Sequence, residues 1–163
     1  EVIRDFTGQT ATTELFVPKW DRVVQVGGED TIERARLDVA FNNCRGQRVY
    51  LDVVVATAGT TNPEMARSRA ARNGAAAARA ADGKRLRYPG PDLVPFAVEA
   101  LGRPGRDAVA FLRSLAPSDP ETRSVVLGAA WQSLSACLQM GNAELLLSAA
   151  GASGGRARPL RIR

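Results

Sequence analysis

The residues best placed to do chemistry are two aspartates, Asp38 and Asp52, each inside a short run that alternates large apolar side chains with others. Leu37, Val39 and Phe41 alternate with Arg36, Asp38 and Ala40. After the turn residues Asn42, Asn43, Cys44, Arg45 and Gly46, the residues Val49, Leu51, Val53 and Val55 alternate with Tyr50, Asp52, Val54 and Ala56. Period two predicts the two strands of a hairpin and sets each aspartate on the face away from its larger apolar set. A turn centred on Arg45 puts position 38 directly across from position 52. Like charges opposite each other in a sheet are destabilising, so a facing pair needs a reason. A divalent cation supplies one, because two carboxylates offer the hard oxygen ligands that magnesium accepts while it keeps waters for chemistry. A register slipped by one or two residues would leave two ordinary solvated aspartates instead.

Composition narrows the rest. The chain of 163 residues has no histidine, which removes Ser-His-Asp and Cys-His catalysis and hydrolysis at imidazole-bound zinc. Carboxylate, lysine and metal remain as hydrolytic equipment. Two cysteines, Cys44 and Cys137, are too few and too far apart for a zinc site or a disulfide framework, and they predict a reducing, intracellular setting. Twenty-two Lys and Arg against seventeen Asp and Glu give a net charge of +5. The excess is mostly arginine, whose planar fork pairs two phosphate oxygens at once, so nucleic acid is the expected partner, DNA before RNA. No apolar run approaches the ~20 residues of a membrane span, and no signal-peptide pattern is present. The chain starts with Glu, in mid-pattern, which predicts a piece of a longer polypeptide.

The elements that must position the aspartates follow in order. Residues 1–28 form a leading strand or linker segment, with a β-branched strand at 21–26 closed by Gly27 and Gly28; residues 29–33 are expected as a solvated acidic loop. Behind the hairpin, Asn62 and Pro63 signal a helix start, and an alanine-rich helix runs to about Tyr88 with Gly74 and Gly83 as possible breaks. It carries Arg67, Arg69, Arg72, Arg79, Lys84, Arg85 and Arg87 against two acids, Glu64 and Asp82, so its arginines are expected to track a phosphate backbone. Leu93 to Glu99 reads as a strand, with Pro95 placing it at an edge or a bulge. Residues 106–116 have helical spacing. Ser118-Asp-Pro-Glu121 reads as a capping box that opens a further helix, with Leu127, Trp131, Leu134, Leu138 and Leu145 on one core stripe and a kink at Gly141-Asn142. From Gly151 a flexible basic tail is expected. The main domain is then 29–150, an α/β (α+β) unit with a mixed central β-sheet and flanking helices.

These features together resemble the restriction-enzyme-like endonuclease domain, of the PD-(D/E)XK superfamily, found downstream of the reverse transcriptase in some non-long-terminal-repeat retrotransposons. Arg36-Leu37-Asp38 is similar to the first part of that signature, Asp52 in a hydrophobic strand to the second, and Lys84-Arg-Leu-Arg-Tyr88 to the basic helix end. Leu37 stands where the family has proline, and Val54 stands where its usual lysine falls. A lysine moved to the following helix is tolerated, which makes Lys84 the candidate. The resemblance implies a nuclease that nicks target DNA for integration. Asp38, Asp52 and the Val53 carbonyl would hold magnesium, and Lys84 would orient water or stabilise developing charge. Arg36, the helix arginines and Tyr88 would contact DNA, in the nucleus and beside the reverse transcriptase of the same polypeptide. A decayed nucleic-acid-binding module on the same fold, or a basic structural protein of a ribonucleoprotein particle, are the alternatives.

Overall fold

A computed structural model describes residues 10–57, 62–64, 67 and 72–153. Its centre is a four-stranded mixed sheet in the order β1 (Thr12–Phe16), β4 (Arg36–Asn42), β5 (Arg48–Ala56), β6 (Leu93–Glu99), in which β1, β4 and β5 are antiparallel neighbours and β6 runs parallel to β5. A parallel neighbour needs a crossover, and helix α1 (Ala75–Arg87) lies within this one. Helices α2 (Arg106–Leu115) and α3 (Pro120–Ser153) follow β6. β2 (Arg22–Val26) and β3 (Glu29–Glu33) form a separate two-stranded ribbon between β1 and β4.

Side-chain parity sorts the helices onto the two faces of the sheet. On one face Phe41, Leu51 and Phe96 meet Ala108, Phe111 and Leu112 of α2, with Leu127, Trp131 and Leu134 of α3 packed against them. Phe111 stands edge-on to both Phe41 and Phe96. On the other face Val54 and Ala97 meet Ala77, Ala80 and Ala81 of α1. Alanine at these positions brings the helix axis close to the strands, because no larger side chain holds it off. A second cluster on this side joins Leu93, Tyr50 and Tyr88 to Trp20, Val17, Ala35 and Leu37. Pro95 sits on β6, an edge strand of the sheet, as its missing N–H requires.

Several expectations are corrected. Residues 29–33 are a strand: Gly27 and Gly28, with φ of 63° and 92°, make the two-residue turn of a tight hairpin, and both values are ones that glycine adopts freely. The domain reaches back past 29, since β1 is part of the main sheet, and α3 continues past 150. Asn62 does cap the helical turn at Pro63, through its Oδ1 and the Glu64 N–H. A bend and turn at 72–74 then precede α1, whose N-terminal flank is Gly74 at φ 77°, whereas Gly83 lies inside α1 without breaking it. Asp119, not Ser118, caps α3: its carboxylate accepts the Thr122 N–H at 2.8 Å and its carbonyl accepts the Arg123 N–H at 2.9 Å. α3 is continuous through Gly141 and Asn142, and the Asn142 amide donates to the Ala100 carbonyl. Leu145 is exposed rather than core, because α3 runs beyond the body it packs on.

Candidate active site

The β4–β5 ladder pairs Val39 with Leu51, Ala40 with Tyr50, Phe41 with Val49 and Asn42 with Arg48. The ladder ends there, one residue short of Asp38 and Asp52, and the alternation expected of β4 breaks at Asp38: Leu37 packs with Trp20 and Leu93 on the face opposite Val39 and Phe41. The hairpin loop is fastened by Asn43, whose side-chain oxygen accepts the N–H groups of Arg45 and Gln47, so the turn centre and hence the register are held by local hydrogen bonds. Beyond Val39 the Asp38 carboxylate accepts the Val53 N–H at 2.6 Å. A side chain from β4 thereby reaches the backbone of β5 immediately after Asp52.

Asp52 is 4% exposed, the one charged residue among the buried side chains described. On β5 it shares a face with Tyr50 and Val54, the face covered by α1. Lys84 stands on α1 three residues after Ala81 and four before Tyr88, so the stripe that packs on the sheet also carries the lysine. Its Nζ lies 2.6 Å from Asp52 Oδ2. This oxygen is buried, and the Lys84 ammonium is the counter-charge set against it. Burial raises the Asp52 pKa above the usual carboxylate value. Lys84 opposes the rise, and the neighbouring Asp38 carboxylate adds to it. The arrangement is two carboxylates and one ammonium, with a net charge of −1 where the strands meet the helix. Among the described residues no group of three or more His, Cys, Asp or Glu comes together.

Comparison with known protein families, with curated proteins and with solved structures returns no match. The site is therefore read from its own geometry.

The arginines divide into two sets. Arg67, Arg72 and Arg79 are exposed, and Arg69 lies outside the described residues. Arg85 bridges Asp82 at 3.0 Å and Asp107 at 2.6 Å, tying α1 to α2. Arg87, half-buried, donates to the Trp20 carbonyl at 2.6 Å and lies 3.6 Å from Glu33. Arg36 pairs with Glu14 of β1. The helix's own acids are few, as expected, but Arg85 takes one of them, Asp82, and both Arg85 and Arg87 find a further acid distant in sequence, on α2 and β3. Tyr88 belongs to an aromatic cluster, with its ring 5.6 Å from that of Trp20, which in turn meets Tyr50 edge-on at 5.3 Å.

Sequence reasoning missed two supports of the site. Glu99, at the end of β6, accepts the Ala76 N–H and so holds the N-terminal turn of α1 in place of a local cap. The Trp20 cluster fixes both Tyr50, two residues before Asp52, and Tyr88, four after Lys84. Strand parity and helical spacing carried the signal for the two tyrosines. Nothing local marked Glu99 or Trp20.

Proposed function

We propose that this domain is a divalent-metal-dependent DNA endonuclease whose working residues are Asp38, Asp52 and Lys84. The observation that carries the reading is their convergence from three elements: Asp38 from β4, Asp52 from β5, and Lys84 from the helix that crosses over to β6. The residues suit a hard cation. Two carboxylates are brought together against their mutual repulsion, and a single ammonium leaves the pair with excess negative charge. In a strand the N–H and C=O of one residue face the same neighbour, so the Val53 carbonyl is directed to the side from which Asp38 reaches the Val53 N–H. Asp38, Asp52 and that carbonyl would hold the ion, which neutralises the scissile phosphate and acidifies water to serve as nucleophile.

The chain's own residues do the rest. Asp38 and Asp52 would supply the carboxylate oxygens that hold the cation. With the cation in place Asp52 no longer needs Lys84 as its counter-charge. The ammonium, on a partly exposed side chain, is then free to hydrogen-bond the attacking water or the developing phosphorane charge. Arg67, Arg72 and Arg79 offer exposed phosphate contacts that position the duplex without reading its sequence. The order of strands and helices and the spacing of the acidic and basic residues support the restriction-enzyme-like reading. On that reading the domain nicks nuclear target DNA for an adjoining reverse transcriptase.

Supercoiled plasmid is the test substrate. The protein should convert it to the nicked form with magnesium and not with chelator, and Asp52→Asn should abolish nicking while retaining DNA binding. Nicking that survives Asp52→Asn would refute the assignment.

A further inference from the structure

α3 has two apolar faces, of which the sheet uses one. Its inner stripe, Leu127, Ala130, Trp131 and Leu134, packs on the body. The opposite side carries Val125, Ala129, Gln132, Ala136, Met140, Ala143, Leu147 and Ala150 at steps of three or four, and all eight are exposed. Val125, Met140 and Leu147 are 72%, 65% and 73% exposed. Between Arg123 and Ser153 the one charged residue is Glu144. A solvent face of an ordinary surface helix is charged and polar, so this one is built to be covered.

We infer that the outer face of α3 is the seam of a homodimer in which two α3 helices pack antiparallel about a two-fold axis near Cys137. The occupant follows from how the seam matches itself. Turned end for end about that axis, Val125 meets Ala150 of the second copy, Leu147 meets Ala129, Met140 meets Ala136, and Gln132 meets Ala143. Large faces small at every step, the condition for two helix surfaces to interdigitate. A parallel pair would oppose Met140 to Met140 and Glu144 to Glu144, overfilled and like-charged. A strongly charged partner such as nucleic acid finds no complement on this face, whereas a second copy does.

Area sets the strength. The seam spans about 38 Å, and a third of the girth of a helix over that length is roughly 450 Å² per copy. The pair then buries about 900 Å², near the ~1,000 Å² at which specific interfaces begin. The association is thus weak and concentration-dependent, and it is independent of the proposed nuclease site on the far face of the sheet.

Sedimentation velocity over a wide range of protein concentration tests the inference. Wild type should move from monomer to dimer. Ala136→Arg, which sets like charges beside the axis, should weaken association at least ~10-fold. Ala136→Phe, which keeps the surface apolar and overfills the contact with Met140, should weaken it as well; circular dichroism confirms that both variants keep their helix. In a Cys44→Ser background, a short bis-maleimide should link the copies through Cys137. A species that stays monomeric at every concentration, or a dimer indifferent to both substitutions, overturns the inference.

Discussion

Burial and the facing Asp38 raise the pKa of Asp52 above its ordinary 3.8, although Lys84 opposes the shift. A raised folded-state pKa means that the native protein holds this proton more tightly than the unfolded chain. The associated stability is therefore fully present below the ordinary value and is lost as pH rises through the folded-state value. In metal-free protein, Asp52→Asn, which never ionises, should be more stable than wild type at neutral pH, and the gap should close on acidification below the usual carboxylate range. Urea midpoints measured from neutral to acid pH check this, and a gap that widens on acidification would contradict it. Asp119 shifts the other way, because its bonds to Thr122 lower its pKa. Its capping contribution is present above the unfolded value and lost as pH falls through the lowered one. Asp119→Ala should lower the melting temperature at neutral pH and lower it less in strong acid.

At the scale of elements, α1 is the part on which the site depends, since it carries Lys84 across the sheet on a stripe of alanines. Ala81 is 2% exposed, so Ala81→Leu must push the helix outward. Overpacking of this kind costs roughly 1–3 kcal/mol. The variant should stay folded, lose stability by that amount, and lose nicking out of proportion to it as Lys84 leaves Asp52; unchanged nicking would show that the lysine's placement does not matter. The pairing of Val39 with Leu51 was legible in advance because the alternation of β5 and the asparagine turn agree on it, whereas the alternation expected of β4 fails at Leu37, which packs with Trp20 and Leu93 on the face opposite Phe41. The strand at 29–33 was not, because acidic Glu29, Asp30 and Glu33 hide a ladder held by backbone bonds and a Gly-Gly turn. Lys84 was legible only as a candidate, since its reach depends on the small side chains beneath it. Asp82, three residues before Arg85, was in view on the same helix, but the other partners were invisible locally, lying 22 residues after Arg85 at Asp107 and 54 residues before Arg87 at Glu33.

Across the whole molecule the net charge of +5 overstates the positive charge left unpaired at the surface, because several arginines pair with acids that hold the fold together. Double substitution of Arg72 and Arg79 with alanine should reduce the slope of log affinity against log salt by up to ~1.8, about 0.9 for each phosphate that is no longer neutralised. Arg85→Ala should leave that slope nearly unchanged and loosen α1 from α2 instead. An Arg85→Ala effect equal to that of the double substitution would move the DNA surface. On the proposed function Asp38 and Asp52 jointly hold one divalent cation while Lys84 serves the chemistry, and titration with Mn²⁺, followed by the electron paramagnetic resonance signal of the free ion, reads that sharing. Asp38→Asn and Asp52→Asn should each weaken binding at least ~10-fold, as expected when a metal is deprived of one of its ligands, and Lys84→Met should leave binding unchanged or tighter, because it removes the cation that competes for Asp52. Equal Mn²⁺ affinity in wild type and both carboxylate variants would mean that the two carboxylates hold no common cation.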